Sequence, residues 1–350
     1  MSVLLDCIEV AGSHFEIGLA IGERFAKEIR HACKTYRSAL KGILSYHDSP
    51  EGQAVYRELV DLNRARYPGY FAELEGIAEG SQQPFIDLFL NSMRGEYRGY
   101  LRASHPGTGG CFDCSLVTDD VALIGHNEDG SPAFRDGTYV VHASPDGKPD
   151  FTVFSYPGFL PGNAFGFNSE GICFSIDAVQ PRHVGVGVGR NFIARSLLEA
   201  RSLQDAIERV TVPGRGSGFS FTIGSIPERR VVQVEMAPQA HHVLEIRGAN
   251  VHANYYQELA GVDQIIGPSN RARVERARAI LQDSPPVDAA GVLSILGDQA
   301  NEHYPIYRQA IPPDRAMTFC TALFDLDARQ LQIYTGHPTQ KSQEFVSFVI

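Results

Sequence analysis

The chain lacks any apolar run approaching the roughly 20 residues that a membrane-spanning helix needs, so no span is expected. It also lacks a block of lysine or arginine. With 31 basic against 41 acidic side chains and a net charge of −10, it offers no electrostatic footprint for a phosphate backbone, which argues against nucleic acid as a partner. Cysteine is scarce: Cys7, Cys33, Cys111, Cys114, Cys173 and Cys320 are scattered over 350 residues, a usage that fits free thiols in a reducing compartment better than a disulfide framework. The first ten residues include Asp6 and Glu9 and have no basic flank ahead of a long apolar stretch, which speaks against a secretory signal. A cytoplasmic location is therefore expected. There is no internal repeat and no low-complexity segment. At 43% hydrophobic and 21% charged residues, the chain can bury one large core or two smaller ones.

Organisation changes near residue 105. Residues 15–44 carry apolar side chains at helical spacing (Ile17, Ala20, Ile21, Phe25, Ile29), and 67–80 and 85–97 predict two further helices. The stretch 104–110, Ser-His-Pro-Gly-Thr-Gly-Gly, is rich in breakers, as an exposed processing segment would be. Beyond it, short β-prone runs follow at 115–117, 122–125, 139–142, 151–156, 164–168 and 171–176. A helix over 190–200 interrupts them, and Ser202 with Asp205 three residues on marks the start of another. Strands resume at 219–223 and 231–236, with another over 241–246, a helix over 271–281, and 318–324 paired with 331–334. Hairpins with helices packed on them make an α+β class.

The junction Gly109-Gly110-Cys111 is the most informative local feature. Glycine puts no side chain in the way of attack on its own carbonyl and accepts unusual backbone angles. A chain cut there would present Cys111 with a thiol and an α-amine on one residue, a nucleophile carrying its own base. A carboxylate arrives one strand later in Gly125-His126-Asn127-Glu128-Asp129, and 129 − 111 = 18 residues separate thiol and acid.

Further segments make the chain resemble a known family. These are Gly12-Ser13-His14-Phe15-Glu16-Ile17-Gly18, Glu73-Leu74-Glu75-Gly76-Ile77-Ala78-Glu79-Gly80, and Leu90-Asn91 with Arg94 and Glu96. Downstream come Gly162-Asn163-Ala164-Phe165-Gly166-Phe167-Asn168, Arg195-Ser196-Leu197-Leu198-Glu199-Ala200, His252-Ala253-Asn254-Tyr255 and Ser269-Asn270-Arg271. In order and spacing they resemble the acyl-coenzyme A:6-aminopenicillanic acid acyltransferase family, the cysteine branch of the N-terminal-nucleophile (Ntn) hydrolases. That family includes an insect N-β-alanyl-dopamine hydrolase and is distantly related to bile-salt and penicillin V hydrolases.

The resemblance implies an αββα sandwich of two antiparallel sheets between helical layers, preceded by a mostly helical segment. It implies self-cleavage between Gly110 and Cys111 into residues 1–110 and 111–350, which stay associated. Cys111 would form a thioester with the acyl group of a small acyl amine, and its α-amine would accept the proton. Asp129 would orient this pair, Asn254 would donate to the oxyanion, and Arg271 would steady the nucleophile or the substrate. Further oxyanion or substrate candidates are Asn168, Asp177, Ala178 and His126. Bile-salt hydrolases carry Arg where this chain has His126. Relatives often carry Asn where this chain has Asp177, whose carboxylate would repel an oxyanion and could instead meet a substrate amine. No cofactor or metal is expected.

Each signal has a plainer reading. Cys111 and Cys114 form a C-x-x-C, but no second such pair or matching His pair completes a zinc site. Cys114, Cys173 and Cys320 read as small buried residues. Asp129, in Asn-Glu-Asp-Gly, could be a turn former. Gly185-Val186-Gly187-Val188-Gly189 lacks the order of a nucleotide-binding loop, and His241, His242 and His303 read as surface or packing histidines. Hydrolysis is favoured over acyl transfer from coenzyme A, because the chain has Gly-His-Asn-Glu-Asp and not the Gly-Gln-Asn-Trp-Asp style of the penicillin enzyme. A non-catalytic or uncleaved binding protein is the alternative of a different class.

Overall fold

The computed structural model describes residues 5–101, 110–340 and 345–350. Residues 104–109 of the expected processing loop lie outside the described residues.

The first hundred residues are helical: α1 (His14–Arg24), α2 (Ala26–Ala39), α3 (Lys41–His47), α4 (Pro50–Arg66), α5 (Pro68–Ser81), α6 (Phe85–Ser92) and α7 (Arg94–Tyr97). The helical pattern over 15–44 resolves into three helices, broken at Phe25 and Leu40. Ser13 and Glu16 close a capping box at the start of α1, each satisfying a backbone donor of the other. Gly18 and Gly22 of α1 face Gly76 and Gly80 of α5. A Cβ at Gly18 would lie 2.0 Å from the Glu73 carbonyl oxygen, and one at Gly76 would lie 2.3 Å from that of Phe15, so the two helices approach only because these positions are glycine.

Along the chain the strands are β1 (Asp6–Gly12), β2 (Phe112–Val117), β3 (Ala122–Gly130), β4 (Tyr139–Pro145), β5 (Phe151–Ser155), β6 (Phe165–Asn168) and β7 (Ile172–Asp177). The remainder are β8 (Phe219–Ser225), β9 (Arg230–Met236), β10 (His241–Glu245), β11 (Gly248–His252), β12 (Met317–Asp325), β13 (Gln330–Tyr334) and β14 (Phe345–Val349). One sheet runs β1-β4-β5-β6-β7-β8-β9-β10 and the other β11-β2-β3-β12-β13-β14. Every pairing is antiparallel except β1 with β4, so the helical N-terminal segment also supplies an edge strand, which sequence pattern did not foretell.

Helices α8 (Arg190–Leu197), α9 (Leu203–Val210), α10 (Pro268–Asp283) and α11 (Ala289–Leu296) complete the fold. Ser202 caps α9 by accepting from the Asp205 amide, as its sequence signature predicts. The helices of the N-terminal segment, with α8 and α9, bury Phe174, Ile176 and Phe221 of the larger sheet, while α10 and α11 bury Phe112, Cys114 and Leu123 of the smaller. Between the sheets lie Ile124, Phe154, Phe165, Cys173 and Phe324. The chain is therefore an α+β protein with helix, sheet, sheet and helix in four layers, the αββα arrangement that the sequence resemblance implies.

Strand alternation positions the site. Side chains at i and i+2 share a face. Phe112 and Cys114 point to the helices, so Asp113 and Ser115 point between the sheets, and Cys111 continues that inner row. On β3 the alternation separates His126 and Glu128, which face inward, from Asn127 and Asp129, which face α10 and α11. Asn127 Nδ2 donates to the Leu296 and Ile306 carbonyls at 2.8 and 3.3 Å on that outer side.

Candidate active site

Cys111 is 7% exposed and lines a cavity of about 430 Å³. Its Sγ lies 3.5 Å from Glu128 Oε1 and 4.0 Å from the Asp129 carbonyl oxygen. Tyr156 donates to the same Glu128 oxygen at 2.5 Å, and His126 Nε2 contacts its other oxygen at 3.0 Å. His126 Nδ1 in turn meets Asp113 at 2.6 Å, and Asp113 accepts from Ser175 at 2.9 Å and from Thr222, both on the opposite sheet. A chain of buried polar groups thus runs from the thiol into the space between the sheets. Burial, joined by the Glu128 charge, pushes the Cys111 thiol up, against an opposing pull from His126. The resting group is a thiol.

Asp129 anchors a second set of contacts on the outer face of β3. It accepts from Thr318 at 2.6 Å and from Arg273 Nη1 at 3.3 Å, with Arg308 Nη1 3.7 Å away. Burial pushes the Asp129 carboxyl up to about 6, opposed by Arg308 and Arg273. The two arginines reach past it to the backbone on either side of the Gly110-Cys111 bond: Arg308 Nη1 donates to the Gly110 carbonyl at 3.0 Å, and Arg273 Nη1 to the Cys111 carbonyl at 3.0 Å. Asp314 holds Arg308 by a fork at 2.8 and 2.5 Å.

Asn254 completes the arrangement. Its Oδ1 accepts from Arg273 Nη2 at 2.9 Å, which fixes the side chain and turns Nδ2 outward. That Nδ2 has no hydrogen-bond partner among the described residues. Gly110 has φ +154°, and a Cβ there would lie 2.1 Å from Asn254 Oδ1 and 2.6 Å from Nδ2. The asparagine amide is therefore packed against the residue whose carbonyl Cys111 would attack, and only glycine allows it so close.

The residues from 116 to 340, well over half of the chain, match the family model "Acyl-coenzyme A:6-aminopenicillanic acid acyl-transferase". The chain belongs to this acyl-transferase family. Among its relatives, the β-alanyl-dopamine/carcinine hydrolase of Drosophila melanogaster is 26% identical over 94% of this chain and 92% of its own length. The acyl-coenzyme A:6-aminopenicillanic-acid-acyltransferase 40 kDa form of Emericella nidulans is 23% identical over 96% of this chain and 94% of its own. Two solved structures each cover 69% of the chain. An N-acylethanolamine-hydrolyzing acid amidase ortholog from Caenorhabditis elegans has 10% identity, a TM-score of 0.44 and full coverage of its own chain. Penicillin V acylase from Agrobacterium tumefaciens has 11% identity, a TM-score of 0.43 and 86% coverage of its own chain. By sequence, then, the chain's family is one of acyl transferases, and its two curated relatives are a hydrolase and an acyltransferase. The family match begins after Cys111, so what is said of that thiol rests on its surroundings.

Those surroundings revise several expectations drawn from the acyl-transferase resemblance. Arg271 is exposed on α10, whereas Arg273 is fully buried against Asp129 and Asn254. Two residues along a helix turn a side chain by roughly 200°, so only one of the pair can face the site. Replacing Arg271 by alanine is expected to shift stability by less than about 0.5 kcal/mol. Arg273→Ala should cost about 3–5 kcal/mol by stranding Asp129, to be read from urea unfolding of the two variants.

Asn168 is buried away from the cavity and ties a turn together. It donates to the Leu198 and Ala200 carbonyls at 3.2 and 2.7 Å, and its Oδ1 accepts from the Glu170 and Ile172 amides at 3.1 Å. Asp177 does not line the cavity either: Ile176 and Ala178 do, and the alternation of β7 turns Asp177 between the sheets onto His252, 2.7 Å away. His126 touches Glu128 and not the cavity, which makes it a positioning group.

Sequence reasoning left Arg273, Arg308, Glu128 and Tyr156 unassigned. For Glu128 the signal was present, since extending the strand from 125 to 130 puts 126 and 128 on the thiol's side.

The histidine of the His-x-Asn segment has a scaffold role. His252 sits between Asp177 and Glu235, at 2.7 and 3.0 Å, and Glu235 also accepts from the amides of Gln257, Glu258 and Leu259. Burial would lower the imidazole, but the two carboxylates outweigh it and raise His252 to about 9. Its unfolded value is about 6.5, so the stabilisation is fully present below that pH and is lost as pH rises through about 9. The unfolding free energy should therefore fall from pH 7 to pH 10 by on the order of 3 kcal/mol, read as a lower melting temperature at pH 10, and His252→Gln should flatten that decline.

Two groups have metal-like spacing: Cys111, His126 and Glu128, and Asp113, His126 and Asp177, each with ligand atoms within 4.8 Å of one another. Both need a lone pair from His126. Burial would lower that imidazole, but Asp113 foremost, then Cys111 and Glu128, hold it well above its usual value, which favours the protonated ring between the two carboxylates. A protonated imidazole is no metal ligand. Cys114, the other half of the C-x-x-C, faces α10 and α11 and cannot join Cys111.

No helix is long and apolar enough to cross a membrane among the described residues.

Proposed function

We propose that the chain is a self-processing cysteine amidohydrolase that cleaves a small N-acyl amine through a thioester on Cys111. The observation that carries this reading is the pairing of the Cys111 thiol with a carboxylate 3.5 Å away on one side and a guanidinium on the Gly110 carbonyl on the other.

In the uncut chain Cys111 has no free α-amine, so another base must take the thiol proton, and Glu128 is the group in contact. As Sγ bonds to the Gly110 carbonyl carbon, the proton passes to Glu128, while Arg308 Nη1 and Asn254 Nδ2 donate to the oxygen on which negative charge gathers. The carbon–nitrogen bond then breaks, and the Cys111 nitrogen leaves as an amine, taking up the proton that Glu128 had received. Water hydrolyses the resulting thioester, giving a Gly110 carboxylate and restoring the thiol. In turnover the substrate's acyl carbon takes the place of the Gly110 carbonyl. The new α-amine, which titrates near 7.7–8.0 in model peptides, relays the proton to the departing amine.

Residues 1–110 and 111–350 would remain together as one body, since β1 is hydrogen-bonded to β4 and α1–α7 cover the larger sheet. The reaction would run in the cytoplasm, where six free cysteines are stable.

Hydrolysis is favoured over transfer because 430 Å³ suits a small acyl amine, whereas most of a coenzyme A molecule would lie outside such a cavity. The test is a panel of acyl amines against acyl-coenzyme A with and without added amine. Amine released in water alone supports the hydrolase; coenzyme A released only when an amine is supplied would replace it with the transferase.

A further inference from the structure

The cavity that holds Cys111 is chemically divided. Leu40, Ile43, Phe134 and Phe159 form an apolar part, while Arg94, Arg98 and Arg190 bring three guanidinium groups to the same space. Two carboxylates line it as well, but each already has its own cation: Asp129 has Arg273, and Glu128 has His126. The three arginines have no carboxylate within 4.0 Å among the described residues. The one acid beside them, Glu96, is buried, accepts the Arg190 backbone amide at 2.8 Å, and is pushed up by burial.

The Arg94 and Arg190 guanidinium groups are held in fixed orientations without being neutralised. Arg94 lies over the Phe159 ring at 4.7 Å and donates to the Asn91 carbonyl at 3.1 Å. Arg190, only 3% exposed, lies over Phe219 at 4.3 Å and donates to the Gly218 carbonyl at 3.1 Å. The Arg98 side chain makes no hydrogen bond or ion pair with a described residue. Burial first, and then the Arg94 and Arg98 charges, pull Arg190 down to about 9, against the pull of Glu96. It is still charged at neutral pH. Gathering like charges in a partly desolvated cavity is unfavourable unless an anion relieves it.

We propose that the substrate bears a carboxylate and that Arg94, Arg98 and Arg190 bind it while Cys111 attacks the amide, so that the enzyme acts on carboxylated N-acyl amines. This rests on the amidohydrolase reading above and narrows it. Guanidinium forks match carboxylate geometry, and a charge-assisted contact in a shielded site is stronger than one in water. An acyl amine with an ammonium group would instead meet unrelieved positive charge.

The carboxylate could sit on the amine half, as in an N-acyl amino acid, or on the acyl half, as in a dicarboxylic half-amide. The test measures kcat/KM of self-cleaved protein on four probes: N-butanoylglycine, its neutral methylamide, N-succinyl-propylamine and N-butanoyl-ethylenediamine. At least one carboxylated probe should exceed the methylamide by about tenfold or more, and which one does so identifies the half that carries the charge. Arg98→Gln should shrink that ratio about tenfold, with Arg98→Lys retaining part of it, and melting curves report whether each variant is folded. Equal rates on charged and neutral probes, or a preference for the ammonium probe, by a cleaved and active enzyme would overturn the anion site and leave the amidohydrolase standing. Absence of self-cleavage and of turnover on all four probes would overturn the amidohydrolase reading itself.

Discussion

Cys111→Ala is expected to yield one uncut chain and to lower amide turnover by about 10⁴-fold or more, the scale seen when an enzyme loses its covalent nucleophile. The substitution removes the sulfur that attacks the Gly110 carbonyl, and without the cut no α-amine forms, so both losses have one origin. It should cost little stability. The thiol's contacts are long, at 3.5 and 4.0 Å, and replacing it by a methyl group lifts a buried sulfur away from the Glu128 charge. Intact-mass analysis reads the first loss, amine release reads the second, and a melting curve excludes misfolding as the cause. Unchanged turnover in this variant would remove Cys111 from the mechanism.

Asn254→Ala is expected to lower kcat by about 100- to 1000-fold while leaving KM within a few-fold, because an oxyanion donor acts on the transition state more than on bound substrate. The geometry behind this is the division of labour within one amide group. Oδ1 is taken by Arg273 at 2.9 Å, and Nδ2 is left without a partner beside Gly110. Asn254→Asp tests the same point by sign, since it keeps the Arg273 contact and replaces the donor with an oxygen that repels the oxyanion. Alanine and aspartate should therefore fail alike in kcat although only alanine strands Arg273. A rise in KM with kcat unchanged would make Asn254 a substrate contact and not an oxyanion donor.

How much of this was legible in the sequence depends on the range over which each feature is encoded. The capping of α9 by Ser202 and the strands β4 to β10, β12 and β13 follow from local chemistry and are readable, whereas β11 and β14 are not marked by any comparable run. The breaks at Phe25 and Leu40 were not readable, because both are acceptable helix residues. What sets Phe25 is tertiary: its ring stacks on Tyr139 of the sheet at 3.7 Å. Helix α4 carries a start signal in Ser49, which caps Gly52, and Pro50, yet its apolar stripe is thin and it was passed over.

At the site, Cys111, Asp129 and Asn254 are brought together from β2, β3 and the end of β11, as their family segments imply. Arg308 could not be foreseen, since it arrives from a loop about 200 residues after the thiol and announces itself by no motif. The choice between Arg271 and Arg273 needs the phase of α10, which a sequence with arginines at 271, 273, 276 and 278 does not define. The conspicuous segments around His14, Glu73, Arg195 and Glu199 prove to be scaffold. Arg195 contacts Glu73 at 2.8 Å, and His14 contacts Glu73 at 2.8 Å and Glu199 at 3.4 Å, which ties α1, α5 and α8 together away from the cavity. A buried ion network and a catalytic one use the same residue types, so only their placement tells them apart.

The most direct test of the account is the intact mass of the purified wild-type chain. Self-processing at Gly110-Cys111 predicts two polypeptides, residues 1–110 and 111–350, with an unblocked cysteine at the start of the second. One uncut polypeptide, under conditions in which the protein is folded and turns over an acyl amine, would contradict the claim that Cys111 acts as an N-terminal nucleophile.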